Sequence, residues 1–327
     1  MNKVHFFIII TIFLFFSCNK RNTTTEKTSG EINTISVLVD DQLWKGEIGD
    51  SIRNKLASSV IGLPQEEPLF TINQYPIKLL EGFVVNSRNS IVIKKEAVSR
   101  FEIKKNEFAS PQNVFYISGK STSEIIDTIE KHSPEIIQIM RQTEITENQR
   151  IIDTSLIKNE RIAKKFKIAL HIPKGYNSVL TRKKFMWLKK EITGGSNSIL
   201  IYQIPINKIE YHPNSSVIGN IIKMRDSIGK LYIHGTERHS KMITEQAYSP
   251  YFFNTKLDGK ITYETKGTWE MKNDFMSGPF INYVILDYNK GRIIVLEGFC
   301  YAPSKKKRDL MFELESIIKS VKFLKNK

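Results

Sequence analysis

Four titratable residues in the second half of the chain could support acid–base chemistry if folding brought them together. They are Asp226, Glu237, His239 and Asp274. Carboxylates and imidazoles can pass a proton to or from a substrate that lies within hydrogen-bond reach. Two of these side chains converging in one cleft would therefore indicate an enzyme, and an envelope polymer is the substrate class we consider for it. Separate, outward-facing positions would count against this alternative.

The sequence lacks the motifs that mark common catalytic and metal sites. It contains no Gly-x-Ser-x-Gly, His-Glu-x-x-His, Cys-x-x-Cys, P-loop or dinucleotide-binding glycine pattern. After the first few residues, its histidines are scattered at positions 132, 171, 212, 234 and 239, without the spacing of metal ligands. We therefore predict no catalytic residue, no metal site and no cofactor, and we favour a non-enzymatic binding or scaffold module over an enzyme.

The densest local pattern is an aromatic and glycine-rich segment at residues 263–280. Its large apolar residues are Trp269, Phe275, Met276 and Phe280. Aromatic side chains supply much of the binding energy at interfaces, so these four residues form a possible binding surface. The alternative is a segment that buries its rings in its own core. We expect Trp269, on a predicted strand, to be structural, and Phe275 and Met276, in a predicted turn, to be exposed.

The N-terminus has the pattern of a bacterial export signal that ends in a lipid attachment site. Lys3 precedes an unbroken apolar run from Phe6 to Phe16, and Ser17 and Cys18 follow directly. The run is too short to span a bilayer as a helix. The pattern predicts acylation of the Cys18 thiol. The alternative is an ordinary signal peptide that happens to contain a cysteine.

Lipidation would also determine where the protein is located. We predict a signal peptide over residues 1–17 and a flexible, lipidated tether over residues 18–31, so that the membrane is contacted through the lipid on Cys18. Asn19 follows the cysteine without an acidic cluster of the export type. We therefore expect a bacterial cell-envelope protein in the outer membrane that faces the periplasm.

Composition and charge limit the class of partner. The chain has 327 residues, of which 40% are hydrophobic, and a formal net charge of +15 at pH 7. The basic residues are spread along the chain without interleaved aromatic residues, and we predict no nucleic-acid partner. An envelope protein or polysaccharide is the expected partner. Cys300, the second of two cysteines, is expected to be a small buried hydrophobe.

Hydrophobic periodicity predicts an α+β fold in two sub-domains, residues 32–150 and 151–327, with antiparallel sheets and flanking helices. Strands are predicted at 35–39, 69–74, 82–86, 90–94 and 113–118, and then at 166–173, 185–191, 198–204, 260–271, 281–288 and 291–301. Helices are predicted over 48–60, from Ser121 with a break at Ser133-Pro134, over 215–229, and from Ser304. Glu66 and Glu67 fall in a predicted solvated loop.

Several short motifs also resemble one family of bacterial envelope lipoproteins, the domain of unknown function 4837. In the first half they are Val39-Asp40-Asp41, Trp44, Gly46, Gly62-Leu63-Pro64-Gln65 and Glu67-Pro68. In the second half they are Arg225-Asp226, Thr265-Lys266-Gly267, Trp269, Asp274-Phe275-Met276, Gly278-Pro279-Phe280, Glu297-Gly298-Phe299 and Tyr301-Ala302-Pro303. The resemblance extends over nearly the whole chain after the tether. It implies an exported lipoprotein and implies no activity.

Overall fold

The computed structural model describes residues 26–80, 86–209 and 216–325. Within these residues the chain forms six α-helices and seventeen β-strands. The helices are α1 (Asp41–Lys45), α2 (Glu47–Leu56), α3 (Thr122–Asp153), α4 (Glu160–Phe166), α5 (Val217–Tyr232) and α6 (Arg308–Lys319). The strands before α3 are β1 (Glu26–Lys27), β2 (Thr34–Leu38), β3 (Thr71–Tyr75), β4 (Asn89–Lys95), β5 (Arg100–Lys105), β6 (Ala109–Ser110) and β7 (Asn113–Gly119). Those after it are β8 (Ile168–Ala169), β9 (Asn177–Arg182), β10 (Phe185–Ile192), β11 (Gly195–Pro205), β12 (Lys241–Thr244), β13 (Tyr251–Leu257), β14 (Lys260–Lys272), β15 (Ser277–Asp287), β16 (Arg292–Tyr301) and β17 (Lys322–Phe323).

The larger sheet is antiparallel and occupies the second half of the chain. Its strands lie in the order β12–β14–β15–β16–β11–β10–β9, and β13 pairs with β14 as well. Side chains alternate along β16, so that Ile294, Leu296 and Cys300 face one core while Ile293 and Val295 face another. Helix α6 covers the first core and α5 covers the second. The predicted α+β class, with helices flanking an antiparallel sheet, is confirmed.

The smaller sheet, in the first half, is mixed. Its order is β3–β2–β4–β7–β5, in which only β5 runs antiparallel to its neighbour. Strand β2 is parallel to β3 and β4, and β4 is parallel to β7. This pairing differs from the antiparallel pairing predicted for this half. The reason is that α1 and α2 return the chain to the end where β2 began, so that β3 starts there and runs in the same direction.

The longest helix, α3, begins where the sequence predicts and continues past the predicted break. Ser121 Oγ accepts a hydrogen bond from the N–H of Glu124 at 3.2 Å, as expected of the N-cap. The break predicted at Ser133-Pro134 is wrong, since the helix runs through the proline. Pro134 has no N–H for the carbonyl of Glu130, but Ser133 Oγ donates to that carbonyl at 3.2 Å and replaces the missing bond.

Other boundaries differ from the predictions at the ends of elements. Helix α2 ends at Leu56, four residues before Val60. The strand predicted at 166–173 is reduced to β8, because Phe166 still belongs to α4 and is buried in the core. The last helix begins at Arg308 rather than Ser304.

Some predictions concern residues beyond the described ranges. The signal peptide over 1–17 and Cys18 lie outside them, as does most of the strand predicted at 82–86. Of the predicted tether, residues 26–31 are described, and they are not wholly flexible because β1 pairs with β6. In the described part of the chain, no helix is both long enough and apolar enough to cross a membrane.

The two halves meet where α3 lies against α6. Arg141 Nη2 donates to Glu315 Oε2 at 2.6 Å. About two helical turns further along α3, Asn148 Nδ2 donates to the hydroxyl of Ser316 at 3.0 Å, and Gln149 Nε2 donates to the Ser316 carbonyl at 2.9 Å. Helix α6 therefore packs on the large sheet with one face and bonds to α3 with another.

Candidate functional site

A loop from the first half, residues 58–66, lies against the large sheet of the second half. A backbone hydrogen bond of 2.9 Å from the N–H of Val60 to the carbonyl of Glu67 closes the loop near its base. Gly62 has a φ of +86°, and a Cβ at this position would lie 3.0 Å from the Cβ of Lys266. The loop therefore touches β14 directly, at a backbone conformation that favours glycine.

Glu67 fixes this loop to the N-terminus of α6. Its carboxylate accepts hydrogen bonds from the N–H groups of Lys307 at 2.6 Å and Arg308 at 3.0 Å. Amides in the first turn of a helix have no partner within the helix, and the Lys307 side chain supplies no cap. A carboxylate from the other half thus caps α6 and stabilises its positive end. The prediction that Glu66 and Glu67 are both solvated is wrong for Glu67, which is buried, while Glu66 is exposed.

Strands β14 and β15 form the floor of a cleft beside the loop. Trp269 lies in the core behind this floor, where its indole N–H donates to the carbonyl of Cys300 at 3.2 Å. Gly278 is paired with Trp269, and a Cβ added to Gly278 would lie only 2.1 Å from that carbonyl oxygen. The glycine permits the close approach of β15 to β16, and it forms part of the floor of the cleft.

The cleft has a volume of about 620 Å³ and is lined by both apolar and polar side chains. Ile61 from the loop is 47% exposed, Tyr248 from the segment before β13 is 77% exposed, and Tyr251 at the start of β13 is 53% exposed. Glu66 and Glu245 add two carboxylates to its lining. Large exposed apolar side chains around a concavity of this size are typical of a binding site.

The structure separates the four residues predicted as a binding surface. Trp269 and Phe280 are each 1% exposed and belong to the core under α5, so neither can contact a partner. Side chains alternate between the two faces of a strand, and both residues occupy positions on the face that α5 covers. Phe275 is fully exposed at the tip of the turn between β14 and β15, and Met276 is half-buried against that core. None of the four lines the cleft, although Gly267 and Gly278 from the same segment do.

The candidate acid–base residues do not converge. Asp226 accepts hydrogen bonds from the N–H and hydroxyl of Thr244, both at 2.8 Å. Asp274 accepts from the N–H of Phe275 at 2.7 Å and from the backbone of Glu237 at 3.4 Å, rather than facing the Glu237 carboxylate. No hydrogen bond joins the side chains of Asp226, Glu237, His239 and Asp274 among the described residues.

Asp274 has a structural use instead. Desolvation raises the pKa of its carboxyl, but hydrogen bonds from the N–H groups of Phe275, Thr236 and Glu237 outweigh it and lower that pKa below its usual range. An acid that is ionised at neutral pH and held by backbone amides organises the loop at 234–240. It is not poised to donate a proton.

A buried ion pair lies in the core under α5, and sequence reasoning did not identify it. Arg225 Nε lies 2.9 Å from Glu297 Oε1, the guanidinium stacks 3.7 Å from the centroid of the Phe280 ring, and Asn282 Nδ2 donates to Glu297 Oε2 at 2.8 Å. Burial raises the pKa of the Glu297 carboxyl, with Arg225 acting in the opposite direction. Both charged side chains are almost inaccessible to solvent, so the pair supports the fold and does not form a site.

The described residues offer little for metal or thiol chemistry. No group of three or more His, Cys, Asp or Glu side chains within the described ranges could hold a metal ion. Cys300 is buried, as expected, and burial raises the pKa of its thiol to about 12. A thiol with so high a pKa is rarely a thiolate at neutral pH and is a poor nucleophile.

The walls of the cleft were missed because they come from three separate segments. A local signal existed in the run from Tyr248 to Tyr251, where two tyrosines flank a Ser-Pro turn. A turn tends to lie at the surface, and two large aromatic rings exposed there would indicate a binding surface. The sequence predicts a loop at 62–68 after a helix over 48–60, but the longer loop at 58–66 and its position over β14 depend on contacts between the halves.

Comparisons with known proteins give two matches to protein families. Residues 155–320 match the family described as Domain of unknown function (DUF4837), and residues 28–153 match the one described as Domain of unknown function (DUF8532). The match to DUF4837 therefore covers the second half, and not nearly the whole chain as the motif resemblance suggested. No curated protein matches the chain.

Solved structures show distant similarity to part of the chain. The cyanobacterial PsbP of Synechocystis sp. PCC 6803 is 11% identical with a TM-score of 0.32, over 48% of this chain and 86% of that one. The Ran-binding protein Mog1p of Saccharomyces cerevisiae is 10% identical with a TM-score of 0.32, over 48% of this chain and 90% of that one.

Proposed function

The chain belongs to the DUF4837 family, and from that premise we propose that it is a non-enzymatic binding module, held at the bacterial cell envelope by a lipid on Cys18. The cleft between the loop at 58–66 and strands β14 and β15 is the observation that carries the proposal. It combines exposed tyrosines, a glycine floor and fixed walls, which together favour recognition of a partner over chemistry.

The fixed position of the loop supports binding by a preformed site. Glu67 anchors one end of the loop to α6, and Gly62 packs its tip on β14. A partner that enters the cleft therefore need not order the loop, and the entropic cost of binding is lower. The dispersal of Asp226, Glu237, His239 and Asp274 gives the enzyme alternative no geometric support.

Affinity capture from envelope extracts tests the binding function. The tagged full chain is compared with a Tyr248→Ala/Tyr251→Ala variant, which removes two aromatic rings that line the cleft. A Phe253→Ala/Tyr288→Ala variant is the matched control, because these rings are 39% and 51% exposed and lie outside the cleft lining. We expect a co-purifying envelope protein or polysaccharide that is lost with the first variant and kept with the second. Retention by both variants would contradict the assignment to this cleft.

The lipid anchor is tested separately. Cys18→Ser removes the only thiol that could be acylated at the predicted boundary, so this variant should lose the lipid label and leave the membrane fraction. Retention of the variant in the membrane at high salt would contradict lipid anchoring. Removal of the wild-type protein by protease treatment of intact cells would contradict the periplasmic orientation.

A further inference from the structure

The cleft is acidic within a strongly basic protein. The chain carries 49 Lys and Arg against 34 Asp and Glu. Among the described residues that line the cleft, however, are two carboxylates, Glu66 and Glu245, and no Lys, Arg or His. The local charge thus has the opposite sign to the charge of the whole molecule.

Both carboxylates remain available for a ligand. Neither Glu66 nor Glu245 forms an ion pair with any residue that the structure describes. Among the described residues, the Glu245 carboxylate accepts one hydrogen bond, from the N–H of Ala247 to Oε1 at 3.1 Å. Glu67, the neighbour of Glu66, shows the opposite case, because its two oxygens are both taken by the first turn of α6.

The protein itself shows how a carboxylate and a tyrosine bind a cation together. Lys190 Nζ lies 5.6 Å from the centre of the Tyr176 ring and 2.9 Å from a Glu313 oxygen. Lys104 Nζ likewise lies 5.0 Å from the Tyr116 ring and 2.8 Å from Glu107. In each case the negative face of the ring and the carboxylate attract the same ammonium group.

The cleft presents the same two components without the cation. Tyr248 and Tyr251 supply exposed rings, and Glu66 and Glu245 supply carboxylates. We propose that this cleft binds a Lys or Arg side chain inserted by a protein partner, which deepens the proposed binding function and rests on it.

The net charge of the chain limits the kind of partner further. A uniformly basic partner would be repelled at long range by the excess of positive charge. At physiological salt this repulsion is screened beyond about 8 Å, whereas contacts inside the cleft are not. The partner segment therefore carries one basic residue in neutral or acidic surroundings.

Selection of random peptides displayed on phage tests the proposal, with the full chain in detergent as the target. We expect the recovered peptides to share one Lys or Arg flanked by uncharged or acidic residues. A synthetic peptide of that motif should bind at least about tenfold more weakly to a Glu66→Gln/Glu245→Gln variant, which corresponds to the loss of a few charged contacts. Acetylation of the motif lysine in the peptide should have the same effect.

A control variant separates local charge from net charge. Glu31→Gln/Glu47→Gln changes the net charge equally, at two exposed carboxylates outside the cleft lining. It should alter peptide affinity by less than about twofold, since distant exposed charges are largely screened. An equal loss with both variants would overturn the proposal.

Two further outcomes distinguish this proposal from the proposed function. Peptides without a basic residue, whose binding depends on Tyr248 and Tyr251 but not on the two carboxylates, would overturn the cationic ligand and leave the binding module in place. Peptides that bind equally well to the Tyr248→Ala/Tyr251→Ala variant would overturn the cleft as the site, and with it both proposals.

Discussion

At the scale of single residues, two aromatic side chains six positions apart have opposite environments. Trp269 donates its indole N–H to a buried carbonyl, and its ring meets that of Phe299 edge to face at 5.6 Å. Phe275 sits at the tip of a turn and is fully exposed. The difference arises because strand parity directs Trp269 toward α5, whereas Asp274 ties the backbone of the turn to the loop at 234–240 and leaves the next side chain in solvent.

Truncation of these two residues should therefore have very different effects on stability. Trp269→Ala leaves a cavity and removes the hydrogen bond to the Cys300 carbonyl, and we expect it to lower the free energy of unfolding by about 3–5 kcal/mol. Phe275→Ala should change it by no more than about 0.5 kcal/mol. Urea unfolding followed by circular dichroism measures both. Equal losses would mean that the turn is part of the core.

The sequence predicted this contrast but could not predict the cleft. Alternation along β14 was sufficient to place Trp269 inside, because strand parity is a local property. The site residues Ile61, Tyr248 and Tyr251 become neighbours only when the two halves dock. The pairing of Arg225 with Glu297 is likewise a contact over 72 positions of sequence, and no periodicity reports it.

At the scale of elements, the helices show which boundaries depend on distant residues. The start of α3 was predictable because its cap, Ser121, lies within the helix signal itself. The continuation of α3 past Pro134 involves the Ser133 hydroxyl, which bonds the Glu130 carbonyl. The rule that proline ends a helix does not take such a side-chain bond into account. The start of α6 depends on Glu67, which lies 240 residues away from Lys307.

The cap on α6 predicts a contrast between two adjacent glutamates. Glu67→Ala leaves two first-turn amides without a partner and should lower the free energy of unfolding by about 1–2 kcal/mol. Hydrogen exchange of the first turn of α6 should accelerate in this variant. Glu66→Ala is the matched control and should change stability by at most about 0.5 kcal/mol. If the two variants were equally stable, the interaction of Glu67 with α6 would be of no energetic consequence.

The ion pair between α3 and α6 predicts a dependence of stability on pH. Desolvation raises the pKa of the Glu315 carboxyl, but Arg141, Lys266 and Lys319 outweigh it and hold that pKa well below its usual range. A carboxyl with a lowered pKa in the folded state stabilises the protein above its ordinary pKa of about 4.3 and loses this contribution as the pH falls through the folded value.

Glu315→Gln should remove that contribution. At neutral pH we expect the variant to be less stable than the wild type by about 3 kcal/mol, because Arg141 loses its partner. The difference should shrink as the pH is lowered from about 4.3 toward the lower pKa of folded Glu315, because the carboxyl is protonated first in the unfolded chain and only then in the folded protein. Urea unfolding across this pH range measures the effect. Glu102→Gln, in an exposed pair with Arg100, is the control and should cost at most about 1 kcal/mol at any pH.

At the scale of the whole molecule, the two halves share contacts that cross the boundary at several points. Asn33 illustrates this sharing, because its N–H donates to Glu144 on α3 at 2.9 Å while its Nδ2 donates to Asp309 on α6 at 3.0 Å. The Glu144 carboxylate also bonds Arg88 and Asn89 and is completely buried. The buried Glu144 carboxylate therefore organises the first half, and one of its partners, Asn33, is also bonded to the second half.

This sharing predicts that the halves unfold together, although two different families match them. If each half were independently stable, breaking α3 from α6 would leave two folded units and two transitions. Because the contacts of Asn33, Arg141 and Glu67 would all be lost at once, we expect one cooperative transition.

A Trp44→Phe variant tests this expectation. Its remaining tryptophans, Trp187 and Trp269, report by fluorescence on the second half alone, while circular dichroism reports on both halves. The two midpoints should coincide in the Trp44→Phe protein and separate when Arg141→Ala and Asn148→Ala are added to it, because those changes weaken the contact between α3 and α6. Separate midpoints before those additions would show instead that the halves are independent domains, and the cleft between them would then lack a fixed wall.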